Sequence, residues 1–399
     1  MNAVWKRLSV VGISVVLILF ACVPLYGAPG TRHVFYLNSG GHVHQLYSTA
    51  SGWSDVDVTA LSNAPVAASG SALTSFFDHT TNYAHVYYLG TNHHVYELFG
   101  TGTSWISDDA TSLAGAPVAV SGSAVTSFID NTSNVSHVFY LGTNQNVYEL
   151  YFTTGWHSDD PTSVAGAPIA ASGSALTSFL FLYQINNLLF AGLDVFYEAN
   201  QQVYELVWPG NWSFEVPTVL AHAPVPVTGS ALTSFVDESS TNPPIRHVFY
   251  LGTNENVYEL YDITSWHSDD PTSLAGAPIA VAGSALTSFI DISIGDTGMH
   301  VMYLGTNHHV YALRWVSGPN WSYFDATAAS HGVTAASGSA LSSFQDLAGG
   351  ARLYFLGTNS HVYELTWQNE GAASETDITL ASGGTVAASG SALTGVVGP

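Results

Sequence analysis

Residues His137 to Trp156 read H-V-F-Y-L-G-T-N-Q-N-V-Y-E-L-Y-F-T-T-G-W, and this stretch decides the fold. Val138-Phe139-Tyr140-Leu141 is a short β-branched and aromatic run. Turn chemistry follows at Gly142-Thr143-Asn144-Gln145-Asn146, and then a second run, Val147-Tyr148-Glu149-Leu150-Tyr151. Two such runs joined by about five turn residues predict a β-hairpin. Trp156 opens a third segment through Asp160, and Pro161 and Ala165-Gly166-Ala167-Pro168 are loop and turn signals. Gly173-Ser174-Ala175-Leu176-Thr177-Ser178-Phe179 closes the unit with small residues in near-alternation.

The unit repeats. Near-copies run from His85 to Trp105, His247 to Trp266 and His300 to Trp321, and weaker ones start at His33, Asp194 and Arg352. Successive copies are 52 to 57 residues apart. The glycine-serine motif begins at Gly70, Gly122, Gly173, Gly229, Gly283, Gly338 and Gly390. Each repeat holds four short strands and no helical period. Four-stranded units of this length, repeated around an axis, predict an all-β, seven-bladed β-propeller spanning residues 33–399. The small residues suit the innermost strand, where blades crowd. The body opens on a second strand at His33 and ends on an unpaired first strand at Ser391–Val396. Pairing the C-terminal strand with the N-terminal hairpin closes the ring and leaves no open edge.

Composition narrows the function. Six Lys and Arg stand against 29 Asp and Glu, and Lys6 and Arg7 lie in the first residues. The body has no basic face with which to neutralise nucleic-acid phosphates or dock on anionic lipid. Residues 1–28 carry two basic residues, an apolar run from Leu8 to Val23 and Gly27-Ala28, the pattern of a signal peptide. Leu19-Phe20-Ala21-Cys22 resembles a lipoprotein cleavage box, so the protein is expected to be secreted or held at the cell surface, with Cys22 as a candidate lipid anchor. Cys22 is the sole cysteine, so the body has no disulfides and no thiolate metal site.

Polar residues recur at fixed positions among the apolar runs. If Leu141 pairs with Val147, Phe139 faces Glu149, and His137 and Glu149 share one face of the hairpin as diagonal neighbours. The same separation of twelve joins His85 with Glu97, His247 with Glu259 and Arg352 with Glu364. It degrades to His33 with Gln45 and His300 with Ala312, and Asp194 meets Glu205 one residue sooner. A hydrogen-bond donor beside a carboxylate, with aromatics near, suits the hydroxyls and apolar face of a sugar.

The order A-hydrophobic-T-S-F, R/H-V-Y-Y-hydrophobic, V/I-x-E and Trp resembles the fungal fucose-specific lectins and their bacterial relatives. The resemblance implies a propeller with sugar sites between neighbouring blades. An Arg opening the second strand and a Glu in the third would bond the sugar, and a Tyr or Trp after the third strand and a further Trp, both from the adjacent blade, would stack on it. It points to Arg352 and Glu364 with Tyr47 and Trp53 across the ring closure. His85 and Glu97 would meet Tyr151 and Trp156. His137 and Glu149 would meet Trp208 and Trp212, and His247 and Glu259 would meet Trp315 and Trp321. About four of seven sites are expected to be competent. Histidine replaces the family's Arg in most copies, so binding that needs the imidazolium would strengthen as pH falls toward about 6.5.

No cofactor or metal is expected. His93-His94 and His308-His309 sit in turns where neighbours point apart, and Asp108-Asp109, Asp159-Asp160 and Asp269-Asp270 read as solvated turn carboxylates. A polar pair dealt out around a ring suits multivalent binding of glycans or glycoconjugates better than an enzyme, which needs one specialised constellation. The alternative is a structural or protein-interaction propeller without sugar binding.

Overall fold

The computed structural model describes residues 30–399, apart from 186–187, 239–243, 292–297, 316–319 and 368–371. The expected signal peptide and Cys22 lie outside the described residues. Seven four-stranded antiparallel sheets are arranged in a ring as the blades of a propeller. Blade 3 shows the plan: Val125–Asp130, Val135–Leu141, Val147–Phe152 and Trp156–Asp159, from innermost to outermost strand. Blade 1 is assembled from both ends of the chain. Its inner strand, Leu393–Gly398, pairs with Thr31–Leu37, setting Val34 opposite Gly395 and Tyr36 opposite Leu393. The hairpin register is the expected one, with Leu141 opposite Val147 and Phe139 opposite Glu149.

The core lies in the seams between blades. Each seam holds its own apolar cluster, such as Phe76, Tyr87 and Leu89 of blade 2 against Val138, Tyr140 and Leu150 of blade 3. An indole at the start of the outer strand of the next blade, or just before it, closes most of these seams. Trp156 stands edge-on to Tyr87, Trp212 to Phe139, Trp266 to Phe196 and Trp321 to Phe249.

The inner-strand motif resolves into separate jobs. Gly122 takes φ +72°, a left-handed turn that a Cβ would strain. Buried Ser123 accepts the Leu141 N–H through Oγ at 2.8 Å and donates to the Ala124 carbonyl, tying the inner strand to the second. Thr126 then bonds Ser178 of blade 4 at 2.9 Å. Equivalent hydroxyl pairs join Thr74 to Ser127, Thr177 to Ser234, Thr233 to Ser288, Thr287 to Ser343 and Thr394 to Ser75. These bonds form a polar belt around the axis, interrupted where Gly395 stands beside Ser342.

Each linker to the next blade contains one short helix, which the strand pattern did not predict. Pro161–Ala165 is the type. Asp160 caps it by accepting the Ser163 N–H, Pro161 occupies the first turn, and Gly166 ends it at φ +65°. The second residue of each Asp-Asp pair is thus a helix cap, not a merely solvated turn carboxylate: Asp109, Asp160 and Asp270 all cap.

Candidate functional site

Strand alternation puts the third-strand carboxylate on the blade face that looks toward the following blade. There the histidine two steps up the hairpin meets it. His85 Nδ1 lies 2.7 Å from Glu97 Oε1, and the His137–Glu149 and His247–Glu259 pairs close to 2.6 Å. All three glutamates are buried. Burial raises the Glu149 and Glu259 carboxyls above their ordinary range, and the histidine bond works against that rise. Rings of the inner strand hold the imidazoles, with Phe128 stacked on His137 at 5.1 Å and Phe235 on His247 at 5.0 Å. In a neutral ring that gives Nδ1–H to the carboxylate, Nε2 is an acceptor; in an imidazolium it is a donor. In His247 that Nε2 is buried with no hydrogen-bond partner among the described residues.

Two open clefts are formed among the described residues. Between blades 5 and 6, a cleft of about 450 Å³ is lined by His247, Glu259, Tyr261 and Asp269 of one blade and Met299 and Trp315 of the next. Between blades 3 and 4, one of about 360 Å³ is lined by His137, Glu149, Tyr151 and Asp159, with Leu193 and Trp208 opposite. Volumes of this order accommodate small ligands. The outer-strand aspartates were not among the expected site residues. Asp159 stands opposite Glu149, and Asp269 opposite Glu259, in the strand register.

The indoles divide into two sets. Trp208 and Trp315 line the clefts. Trp156, Trp212 and Trp321 are buried in the seams, at 7%, 4% and 5% exposure, so the expected stacking position falls to the first pair. Two tyrosines also sit elsewhere than expected. Tyr151 lies opposite His137 in its own blade and lines the blade 3–4 cleft, not the blade 2–3 seam. Tyr47 lies opposite His33, stacked on it at 6.5 Å, and so faces blade 2 and not Glu364. Both follow the glutamate position by two residues, which keeps them on its own face.

The pair that best matched the lectin pattern is rearranged. Arg352 bonds Asp346 through Nε at 2.7 Å and Nη2 at 2.6 Å, and its Nη1 is 3.9 Å from Glu364. Glu364 is taken instead by Arg32 of blade 1, at 2.7 Å, whose guanidinium lies 4.9 Å over Trp53. Tyr354 also donates to Glu364. Blade 4 repeats this device. Arg246 of blade 5 reaches Asp194 at 2.9 Å and Glu205 at 2.5 Å, binds Asp262, and lies 5.1 Å over Trp266. Asp194 and Glu205 are fully buried, and burial raises both carboxyls while Arg246 opposes the rise. Sequence reasoning missed both arginines, though each immediately precedes the blade's histidine and must therefore face the preceding seam.

Blade 1 is different again. The Gln45 amide nitrogen lies 2.6 Å from His33 Nδ1, and burial holds the His33 imidazole down at about 4. Among the described residues, no group of three or more His, Cys, Asp or Glu is placed to hold a metal ion. His94, from one of the paired histidines, instead bonds the Asp109 carboxylate at 2.8 Å, while its neighbour His93 takes the left-handed turn at φ +64°.

No protein-family profile matches the chain, and no curated protein matches it by sequence. Solved structures do match. The BP39L lectin of Burkholderia pseudomallei aligns over 87% of this chain and 95% of its own, at 16% identity and a TM-score of 0.60. The fucose-specific lectin of Aleuria aurantia aligns over 77% and 95%, at 16% identity and a TM-score of 0.55. AofleA of Arthrobotrys oligospora aligns over 82% and 90%, at 14% identity and a TM-score of 0.55. The likeness is one of fold. The Aleuria lectin has a six-bladed β-propeller fold and a novel fucose recognition mode. This chain has seven blades.

Proposed function

We propose that the protein is a multivalent lectin that binds a small sugar in clefts between adjacent blades. One observation carries the reading. The two open clefts share one constitution, with glutamate, histidine and tyrosine on one wall and an indole from the next blade on the other. Sugar hydroxyls would bridge the polar wall, and the apolar sugar face would lie on Trp315 or Trp208. Fucose is the first candidate, because solved neighbours include a fucose-specific lectin and a lectin in complex with α-methyl fucoside. The outer-strand aspartate and the glutamate stand side by side on one wall, whereas a glycosidase flanks the scissile bond with its carboxyls. A binding protein, not an enzyme, is therefore the reading. The leader pattern of residues 1–28 adds export, with glycoconjugates met outside the cytoplasm.

A glycan array on the purified protein, beside the Trp208→Ala/Trp315→Ala double variant, tests this. The lectin reading expects binding of fucosylated glycans that the double variant loses while its melting temperature holds. A blank array would favour the alternative, a propeller whose seams are scaffold alone.

A further inference from the structure

The open clefts are places from which an internal cation is missing. In the seams between blades 4 and 5 and between blades 7 and 1, the residue just before the second-strand histidine is arginine, and its guanidinium sits between a buried carboxylate and an indole. The same position holds Met299 in the seam between blades 5 and 6. In the seam between blades 3 and 4 it holds Leu193, the residue before Asp194. Both side chains line the clefts. The carboxylates remain. In blade 4, Glu205 stands opposite Glu215; Arg246 bonds Glu205, and the Trp266 indole N–H donates to Glu215. In blades 3 and 5, Glu149 opposite Asp159 and Glu259 opposite Asp269 face no such arginine among the described residues; each glutamate is met by the histidine of its own blade. Like charges directly across a strand pair repel. Burial raises the Asp269 and Glu259 carboxyls, His267 working against the first rise and His247 against the second, while the charge of Asp269 adds to the rise of Glu259.

The hydrogen-bond inventory agrees. The cleft carboxylates Glu259, Asp269, Glu149 and Asp159 accept only, and in a neutral His247 ring that gives Nδ1–H to Glu259 the buried Nε2 would accept too. A ligand must therefore bring donors. An ammonium group brings three, together with the charge that the arginine supplies in the sister seams. Trp315 and Trp208 add aromatic faces on which a cation or a sugar ring can rest.

Building on the lectin reading, we infer that these two clefts select sugars bearing a protonated primary amine, of the D-glucosamine class. The amine takes the place between Glu259 and Asp269, or between Glu149 and Asp159, that a guanidinium fills elsewhere in the ring.

Calorimetric titration at neutral pH and low salt tests this with four probes: D-glucosamine, N-acetyl-D-glucosamine, methyl α-L-fucoside and N-acetyl-arginine methyl ester. The expected result is glucosamine bound at least about tenfold more tightly than its N-acetyl form. In Asp159→Asn/Asp269→Asn the ratio of the two affinities should fall severalfold, and a ratio that does not move overturns the inference. Equal or tighter binding of the neutral sugars overturns the inference and leaves the lectin reading standing. Binding of the arginine ester without any sugar overturns both, and identifies the clefts as docking points for basic peptides. No binding of any probe also overturns both.

Discussion

Glu198 shows how much one residue can be made to carry. It is the last residue but one of the second strand of blade 4, at the place of Leu141 in blade 3, and like Leu141 it gives its backbone N–H to the serine of the inner-strand motif. It is 2% exposed, one carboxylate oxygen accepts the Gly229 N–H at 3.0 Å, and the other has no partner. Burial pushes its carboxyl up to about 7. An acid whose folded value is raised costs stability wherever the unfolded chain would ionise it. That cost is complete above about pH 7, shrinks as pH falls, and is gone below the ordinary value near 4.5. Glu198→Gln should therefore raise the melting temperature at about pH 8, by the equivalent of at most about 3 kcal/mol. At about pH 4 the variant and the parent should melt together. A gain that is the same at both pH values would contradict this account. The two sets of indoles should separate equally cleanly. Trp212→Ala and Trp321→Ala empty a packed seam and should cost roughly 3–5 kcal/mol in denaturant unfolding. Trp208→Ala, at the rim, should leave the unfolding midpoint nearly unchanged and weaken ligand.

At the scale of the element, the hairpin was legible and the linker was not. Five turn residues between Leu141 and Val147 fix the register, and that register places His137 and Glu149 on one face. What failed was parity beyond the glutamate. Tyr151 and Tyr47 stand two residues after the third-strand polar position and stay on its face, while Trp208 and Trp315 stand three after it and cross to the preceding seam. The alternation of a strand contains that information, but the expected partners came from the lectin pattern instead. The same alternation would have aimed Arg32 and Arg246 at the preceding carboxylates. The helices were hidden by their length, since five residues show no period. Their ends were nonetheless written out, with Asp160, Pro161 and Gly166 as cap, first residue and terminator. Asp160 also accepts from Asn146 of the hairpin turn at 2.8 Å, so it ties turn to linker. Asp160→Ala should cost about 1 kcal/mol for the lost cap, read as a lower denaturant midpoint with an unchanged slope. An unaltered midpoint would show that the cap adds nothing.

Across the whole molecule, stability comes from seven similar seams and from closure. No disulfide contributes, because the one cysteine is Cys22. The seal is the pairing of Leu393–Gly398 with Thr31–Leu37, reinforced by the bond between Thr394 and Ser75. A chain ending at Gly390 would expose the edge of Thr31–Leu37 and open the seams on either side. It should lose its single sharp melting transition and aggregate; a truncated chain that melts like the parent would show that closure is dispensable. Placement of the carboxylates around the ring also sets valency. Arg32 and Arg246 fill two seams from within, and open clefts lie at two others. The most direct test of the account is a crystal structure of the protein with its best-bound monosaccharide. The account predicts a sugar ring lying on Trp315, with polar groups toward Glu259 and His247, and a second on Trp208 beside Glu149. A sugar bound away from these indoles, or displacing Arg246 while both clefts stay empty, would contradict it.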